Sequence, residues 1–270
     1  MNAIPLEEKF ARMGARLRLG RGDARDRWRR DGPLTLDVRS DGGGEFFDVR
    51  VRPGSGVELD VLDLRKRERH LLLLARDGGD KSLYLCGHDE RHWFVAAIPE
   101  SARGVGNVAT AMEALKPAEV LEAQARQGVH GKDRRRRKNA AYRRQGEWFF
   151  LPTPYLKPDK WLVLHNEPLS RGNGSKPHLA EFCYRVGGDT VHVCDQYPAG
   201  LRPAEHRRLL ADRPQAKAWN WRTMRRNPEA YVKGRIRHED HETINLVVWH
   251  KVVMNTEGQA RAMRHVVFLD

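Results

Sequence analysis

Cysteine is scarce in this chain, and long apolar runs are missing. Three cysteines in 270 residues do not make a disulfide framework, which takes an even set at regular spacing. No stretch approaches the roughly 18 apolar residues of a membrane span. The longest, Leu71 to Ala75, has the length of a buried strand. The first twenty residues, MNAIPLEEKFARMGARLRLG, hold no apolar block of the kind a secretory signal requires. A Walker loop, a G-x-G-x-x-G fingerprint and a nucleophile elbow are also absent. Gly104-Val105-Gly106 is too short to cradle a phosphate. Nucleotide hydrolysis and dinucleotide chemistry are therefore set aside. The expectation is a cytoplasmic protein that makes no use of a membrane.

Acid is in short supply too. The chain carries 36 acidic against 49 basic residues, a net charge of +13. Such a balance points to a polyanionic partner, most often nucleic acid. A charged, solubilising surface is the plainer reading. Apolar residues make up 40%, enough in a chain of this length to bury a sizeable core.

What is present reads as many short strands. Leu6, Phe10, Met13 and Leu17 follow Pro5 at helical spacing, with Gly20 as the stop. Residues 21–32 are polar and turn-like. Six strands follow, centred on Leu36, Val49, Leu59, Leu73, Tyr84 and Val95 and separated by Gly/Asp-rich turns. Asn107 and Pro117 open two helices, the second ending at Gly128. After residue 146 the pattern is again strand-rich. A helix is predicted at 203–211, a short one at 219–226, and a closing strand at 266–269. The fold class expected is α+β, mostly antiparallel, with two β-rich lobes of meander or barrel type, residues 1–128 and 129–270. Short helices and a basic segment join them.

The clearest element is a hairpin, Tyr231 to Met254. Val232 and Ile236 share a parity, as do Ile244, Leu246, Val248, Val252 and Met254. A three-residue loop, Glu239 to His241, would set Ile236 opposite Ile244 and Val232 opposite Val248, both on one face. The front of the hairpin then carries Lys233, Arg235 and Arg237. Its tip carries His238, Asp240 and His241, which with His178 in GSKPHLAE are the candidate catalytic residues, of general acid/base and metal-ligand type. Asp240-His241, Asn245 and His250 are residue types that HNH nucleases use. Too few residues intervene for that motif's hairpin and helix, so the family is not assigned.

Two basic stretches are candidate nucleic-acid contacts. The first holds Lys132, Arg134, Arg135, Arg136, Arg137, Lys138, Arg143 and Arg144 against a single acid, Asp133. Each phosphate such side chains neutralise releases counterions, and Tyr142 is placed to stack on an unpaired base. The second holds Arg222, Arg225 and Arg226 beside Trp219 and Trp221, an interleaving that suits RNA or a single strand. The tryptophans read first as core residues.

A further hairpin is predicted from Leu179 to Cys194, turning at Gly187-Gly188. That register pairs Cys183 with His192 and puts Cys194 on the same face, with Phe182 and Val193 inward. Cys183, His192 and Cys194 are admissible zinc ligands, although one flat face does not readily make a tetrahedron. Cys86, His88 and His92 form a second such set. No cofactor is expected beyond zinc or another divalent metal. The expected function is nucleic-acid binding, with RNA or single-stranded DNA favoured over duplex. The alternatives are a metal-dependent hydrolase or nuclease, and a basic protein that meets an acidic protein partner.

Overall fold

The computed structural model describes residues 4–21, 33–170 and 176–260. Of the expected elements, the closing strand at 266–269 and residues 22–32 lie outside the described residues. The first helix, α1 (Leu6–Arg12), is shorter than its apolar spacing implies. Gly14 adopts φ +84°, a left-handed turn that suits glycine, and Leu17 falls instead in a strand, β1 (Arg16–Arg21).

The strands form open sheets. β2 (Leu34–Asp41) and β3 (Gly44–Val51) make a hairpin, and β1 joins β3 in parallel, the order being β1-β3-β2. β4 (Glu58–Arg65), β5 (His70–Asp77), β6 (Asp80–Asp89) and β7 (His92–Ala97) form the expected meander. Leu36, Phe47 and Val49 of the first sheet share one apolar cluster with Leu71, Leu73 and Tyr84 of the second and with Phe10 of α1. The opposite face of the meander, Leu72, Leu85 and Ala96, packs on α2 (Val108–Ala114). Both faces of β5 are thus covered, which is why its sequence is an unbroken apolar run. The side chains of Asn107 and Thr110 cap α2 reciprocally. α3 (Ala118–Arg126) follows.

The remaining strands are β8 (Arg143–Gln145), β9 (Trp148–Pro152), β10 (Val163–Leu169), β11 (His178–Val186), β12 (Asp189–Cys194) and β13 (Tyr197–Leu201), then, after helix α4 (Pro203–Asp212), β14 (Arg222–Arg226), β15 (Glu229–Arg237) and β16 (Ile244–Met254). Six of them lie in the order β10-β11-β15-β16-β9-β8, and three in the order β13-β12-β14. Phe150, Cys183, Val232, Ile236 and Leu246 form the core of the larger sheet. Architecture is therefore α+β and mostly antiparallel. No sheet closes among the described residues, so the barrel expectation is not met. No helix among them is long and apolar enough to cross a membrane.

Gly187-Gly188 does not reverse the chain as expected. β11 pairs with β15 up to Val186↔Glu229, and β12 pairs with β14 from Asp189↔Arg226. The register is continuous across the interruption. Residues 179–193 and 222–237 thus form one long antiparallel ribbon, broken at Gly187-Gly188 on one strand and at Asn227-Pro228 on the other. Both glycines have positive φ, +72° and +78°, and a Cβ on Gly188 would lie 2.7 Å from the Arg226 carbonyl oxygen. The predicted helix at 219–226 is overruled by the same ribbon, since β14 supplies its edge.

The hairpin of β15 and β16 forms with Ile236 opposite Ile244. Further along, Val232 faces His250 rather than Val248, because a bulge lies between Val232 and Gly234. Gly234 has φ +83°, and a Cβ there would sit 2.7 Å from Glu181 Oε2. A matching irregularity between Ala180 and Phe182 in β11 switches the parity of that strand. Cys183 therefore points into the core while Phe182 is only half-buried, the reverse of the expectation.

Candidate functional site

The ribbon register brings two histidines together. Leu179 pairs with Arg237, so the next rung places His178, the first residue of β11, beside His238, the first residue after β15. Their rings stack with centroids 4.2 Å apart. The β15–β16 connection runs from His238 to Thr243, and it folds back so that His241 lies 4.7 Å from His238 and 5.4 Å from His178, ring to ring. One nitrogen from each of the three lies within 4.8 Å of the others. Three of the four candidate catalytic residues thus converge. Asp240, the fourth, lies at the rim of the same cluster.

Two turns hold this loop in place. The buried Gln145 Nε2 donates to the carbonyls of Glu242 at 2.6 Å and Ile236 at 3.4 Å. From the other side, Glu90 in the β6–β7 turn accepts the Glu242 backbone N–H at 2.7 Å, and its carboxylate lies 3.5 Å from His241 Nδ1. Gly146, in the tight β8–β9 turn with φ +55°, passes directly over the cluster. A Cβ at this position would be 2.9 Å from His241 Nε2 and 3.4 Å from His178 Nε2.

Burial, reinforced by the neighbouring His238, lowers the His241 pKa to about 4. His241 is therefore neutral at pH 7, the state in which imidazole can ligate a metal. His238 Nδ1 accepts the Asp240 backbone N–H at 3.1 Å, which engages the neutral ring's one lone pair, and that bond would have to break for His238 to ligate a metal. Lys176 Nζ lies 3.4 Å from carboxylate oxygens of both Asp240 and Glu239, and the charge of Asp240, above all, raises the Lys176 pKa. His92 Nδ1 lies 2.7 Å from a Glu45 carboxylate oxygen, and its Nε2 lies 3.8 Å from Asp240. His92, Gly146, Lys176, His238, Asp240 and His241 line a cleft of about 260 Å³, together with Trp93, Arg135, Arg144 and Glu147, while His178 lies buried behind it.

The other predicted sets do not assemble. Cys183 pairs with Val232 and His192 with Thr223, in different sheets, so Cys183, His192 and Cys194 form no metal site. Cys86 is buried in the core, which pushes its thiol pKa up, and His88 packs edge-on against Trp93 at 4.9 Å. Cys86, His88 and His92 are not a ligand set either.

The first basic segment is largely committed to the protein itself. Tyr142 is 2% exposed and its hydroxyl donates to the Arg134 carbonyl at 2.8 Å, so its ring is not available to stack on a base. Arg134 pairs with Glu113 at 2.7 Å, Arg137 with Asp89 and Glu90, and Arg144 with Asp89 at 2.8 Å. Arg143 donates to the Asn245 carbonyl. Lys132, Arg136 and Lys138 remain at the surface, Arg136 beside Asp133, and Arg135 faces the cleft. On the ribbon, Arg222 and Arg225 are exposed and Arg226 is half-buried. Lys233 is half-buried, Arg235 contacts Glu181, and Arg237 donates to Asn166. Trp219 and Trp221 are half-buried rather than core.

No protein-family model, curated protein or solved structure matches this chain. Glu90, Gln145 and Gly146 were not among the predicted site residues. Gly146, between a basic run and the apolar EWFFL, carried the one usable signal, a glycine at a turn.

Proposed function

We propose that the cleft is the active site of a metal-dependent hydrolase that cuts phosphodiester bonds in nucleic acid. The observation that carries this reading is the convergence of His178, His238 and His241 beneath Gly146. Three imidazoles suit zinc, whose catalytic sites keep a fourth position for water. His178, His238 and His241 would hold the ion: zinc–nitrogen bonds of about 2.0–2.1 Å put tetrahedral ligands roughly 3.4 Å apart, against nitrogens that lie within 4.8 Å of one another here. A bound ion of this kind supplies an acidified water and polarises a phosphoryl oxygen.

The chain's own groups have separate tasks. Asp240, at the rim, takes up the proton of the attacking water. Arg135, the one cleft cation that reaches no carboxylate among the described residues, favours an anionic substrate. The net charge of +13 extends that preference to a polyanion. Residues 1–128 and 129–270 act in this reading as two halves, contributing His92 and Trp93 to one wall and Lys176 and His238 to the other. A cytoplasmic setting is part of the same proposal.

The test begins with chelator-treated protein titrated calorimetrically with Zn²⁺ and Mn²⁺. A single site of micromolar affinity or tighter is expected, abolished in His178→Ala and His241→Ala. Hydrolysis of bis(4-nitrophenyl) phosphate and of a labelled oligonucleotide should stop with chelator and return with metal. Protein that binds neither ion would refute the metal centre. Tight metal binding without hydrolysis of either substrate would refute the enzyme.

A further inference from the structure

The three-stranded sheet β13-β12-β14 and helix α4 form the far end of the ribbon, beyond the Gly187-Gly188 break. This arm carries an aromatic group that the cleft does not use. The rings of Tyr197, Trp219 and Trp221 are nearly parallel, with interplanar angles of 20°, 28° and 30°. Their centroids are 6.0 to 6.1 Å apart in every pair. Rings piled along one normal cannot all be equally separated, so these spread as offset tiles. All three are half-buried.

Trp221 is fixed in place by its neighbours. Trp221 Nε1 donates to the Ala216 carbonyl at 2.8 Å. His206 of α4 meets Trp221 edge-on at 4.4 Å and stacks on His192 of β12 at 4.2 Å. An aromatic cage for a cationic group closes its walls around the ligand. Near-parallel tiles instead offer faces to flat partners.

The charge around them is unbalanced. Between Gly187 and Asn227 there are eight Lys/Arg and four Asp/Glu. Among the described residues, Arg202 and Arg226 alone of these cations reach a carboxylate, both at Asp189 and at 3.8 and 4.0 Å. That contrasts with the first basic segment, where Arg134 and Arg144 are paired at 2.7 and 2.8 Å. Arg222 follows Trp221 directly, and Arg225 lies further along the same exposed strand, where it also donates to the Gly188 carbonyl at 3.3 Å.

We propose that this arm binds single-stranded nucleic acid, stacking bases on Tyr197, Trp219 and Trp221 and meeting phosphates with Arg222 and Arg225. Bases that remain paired in a duplex do not expose the faces this platform takes. The inference deepens the reading of nucleic acid as substrate by naming its single-stranded form. It rests on that reading for biological purpose, while its test concerns binding alone.

The probes are a fluorescent oligothymidylate, a duplex of equal length, and heparin as a polyanion without bases, all measured by anisotropy with chelator present. The single strand should bind more tightly than the duplex. Trp219→Leu should weaken it by roughly 5- to 150-fold, the worth of one stacked base, and leave heparin binding unchanged. Arg222→Gln with Arg225→Gln should make the salt dependence shallower by about one unit for each phosphate no longer neutralised. Trp219→Phe, which keeps a ring, should retain most of the affinity and serves if the leucine variant misfolds. Equal affinity for duplex, or Trp219→Leu and Trp219→Phe both binding like the parent, would overturn the proposal. So would binding to heparin alone. Because chelator blocks hydrolysis throughout, a failed metal centre leaves this result untouched, and a failed platform leaves the metal titration untouched.

Discussion

Leu246→Ala is expected to lower the unfolding free energy by about 2–5 kcal/mol, the range for truncating a fully buried leucine. Leu246 is 1% exposed and packs with Phe150, Val232 and Ile236. Its strand β16 lies between β15 and β9 in the interior of the six-stranded sheet. Truncation therefore leaves a hole that neighbours on the two flanking strands cannot all move to fill. In a chain of this size each kcal/mol shifts the thermal midpoint by roughly 2–4 °C. Denaturant titration with an unchanged m-value would give the loss directly. A variant within about 0.5 kcal/mol of the parent, the range typical of surface substitutions, would mean that Leu246 is not a core residue.

Gly146→Ala is expected to cut hydrolysis in the cleft by about 100-fold, the effect of misplacing reacting groups by about 1 Å. The new methyl would press on His241 Nε2 from 2.9 Å and on His178 Nε2 from 3.4 Å. The left-handed backbone adds about 1–2 kcal/mol of strain, so a modest fall in thermal midpoint accompanies the loss. Gly131→Ala separates the two effects. Gly131 has a nearly identical φ of +56° but nothing within 4 Å of its Cβ position. It should lose similar stability and keep full activity. Equal activity in the two variants would show that the close approach of Gly146 has no part in the site.

The strands are readable in the sequence wherever alternation is unbroken. The hairpin from Leu34 to Val51 is the clearest case, with no shift in its register. Legibility fails where a glycine alters the count. Gly234 sits inside an alternating run, and the bulge beside it moves Val232 from Val248 to His250. Glycine inside a strand pattern signals such a bulge, yet the regular parity of Val232 and Ile236 on either side masks it. Gly187-Gly188 has the positive φ values that a reversing turn uses, and only the partners of the flanking strands reveal that the chain continues forward. The site is half legible. His238, Asp240 and His241 stand where the apolar pattern stops. Their contact with His178 follows from a pairing, β11 with β15, that local periodicity does not encode. A polar hairpin tip implies an exposed loop, whereas the His241 side chain is 14% exposed, clamped by Glu90 and Gln145. Truncating His241 therefore disturbs packing as well as chemistry.

That clamp ties together distant parts of the chain. Glu90 and Glu242 are 152 positions apart, and Gln145 and Glu242 are 97 apart. Contacts at such separation form late, since long loops must close before they are rewarded. On the ribosome, the β4–β7 meander is complete long before Glu242 has been synthesised. The histidine cluster can therefore assemble only after the chain as far as Glu242 has emerged, and a chain that stops short of it carries no assembled site.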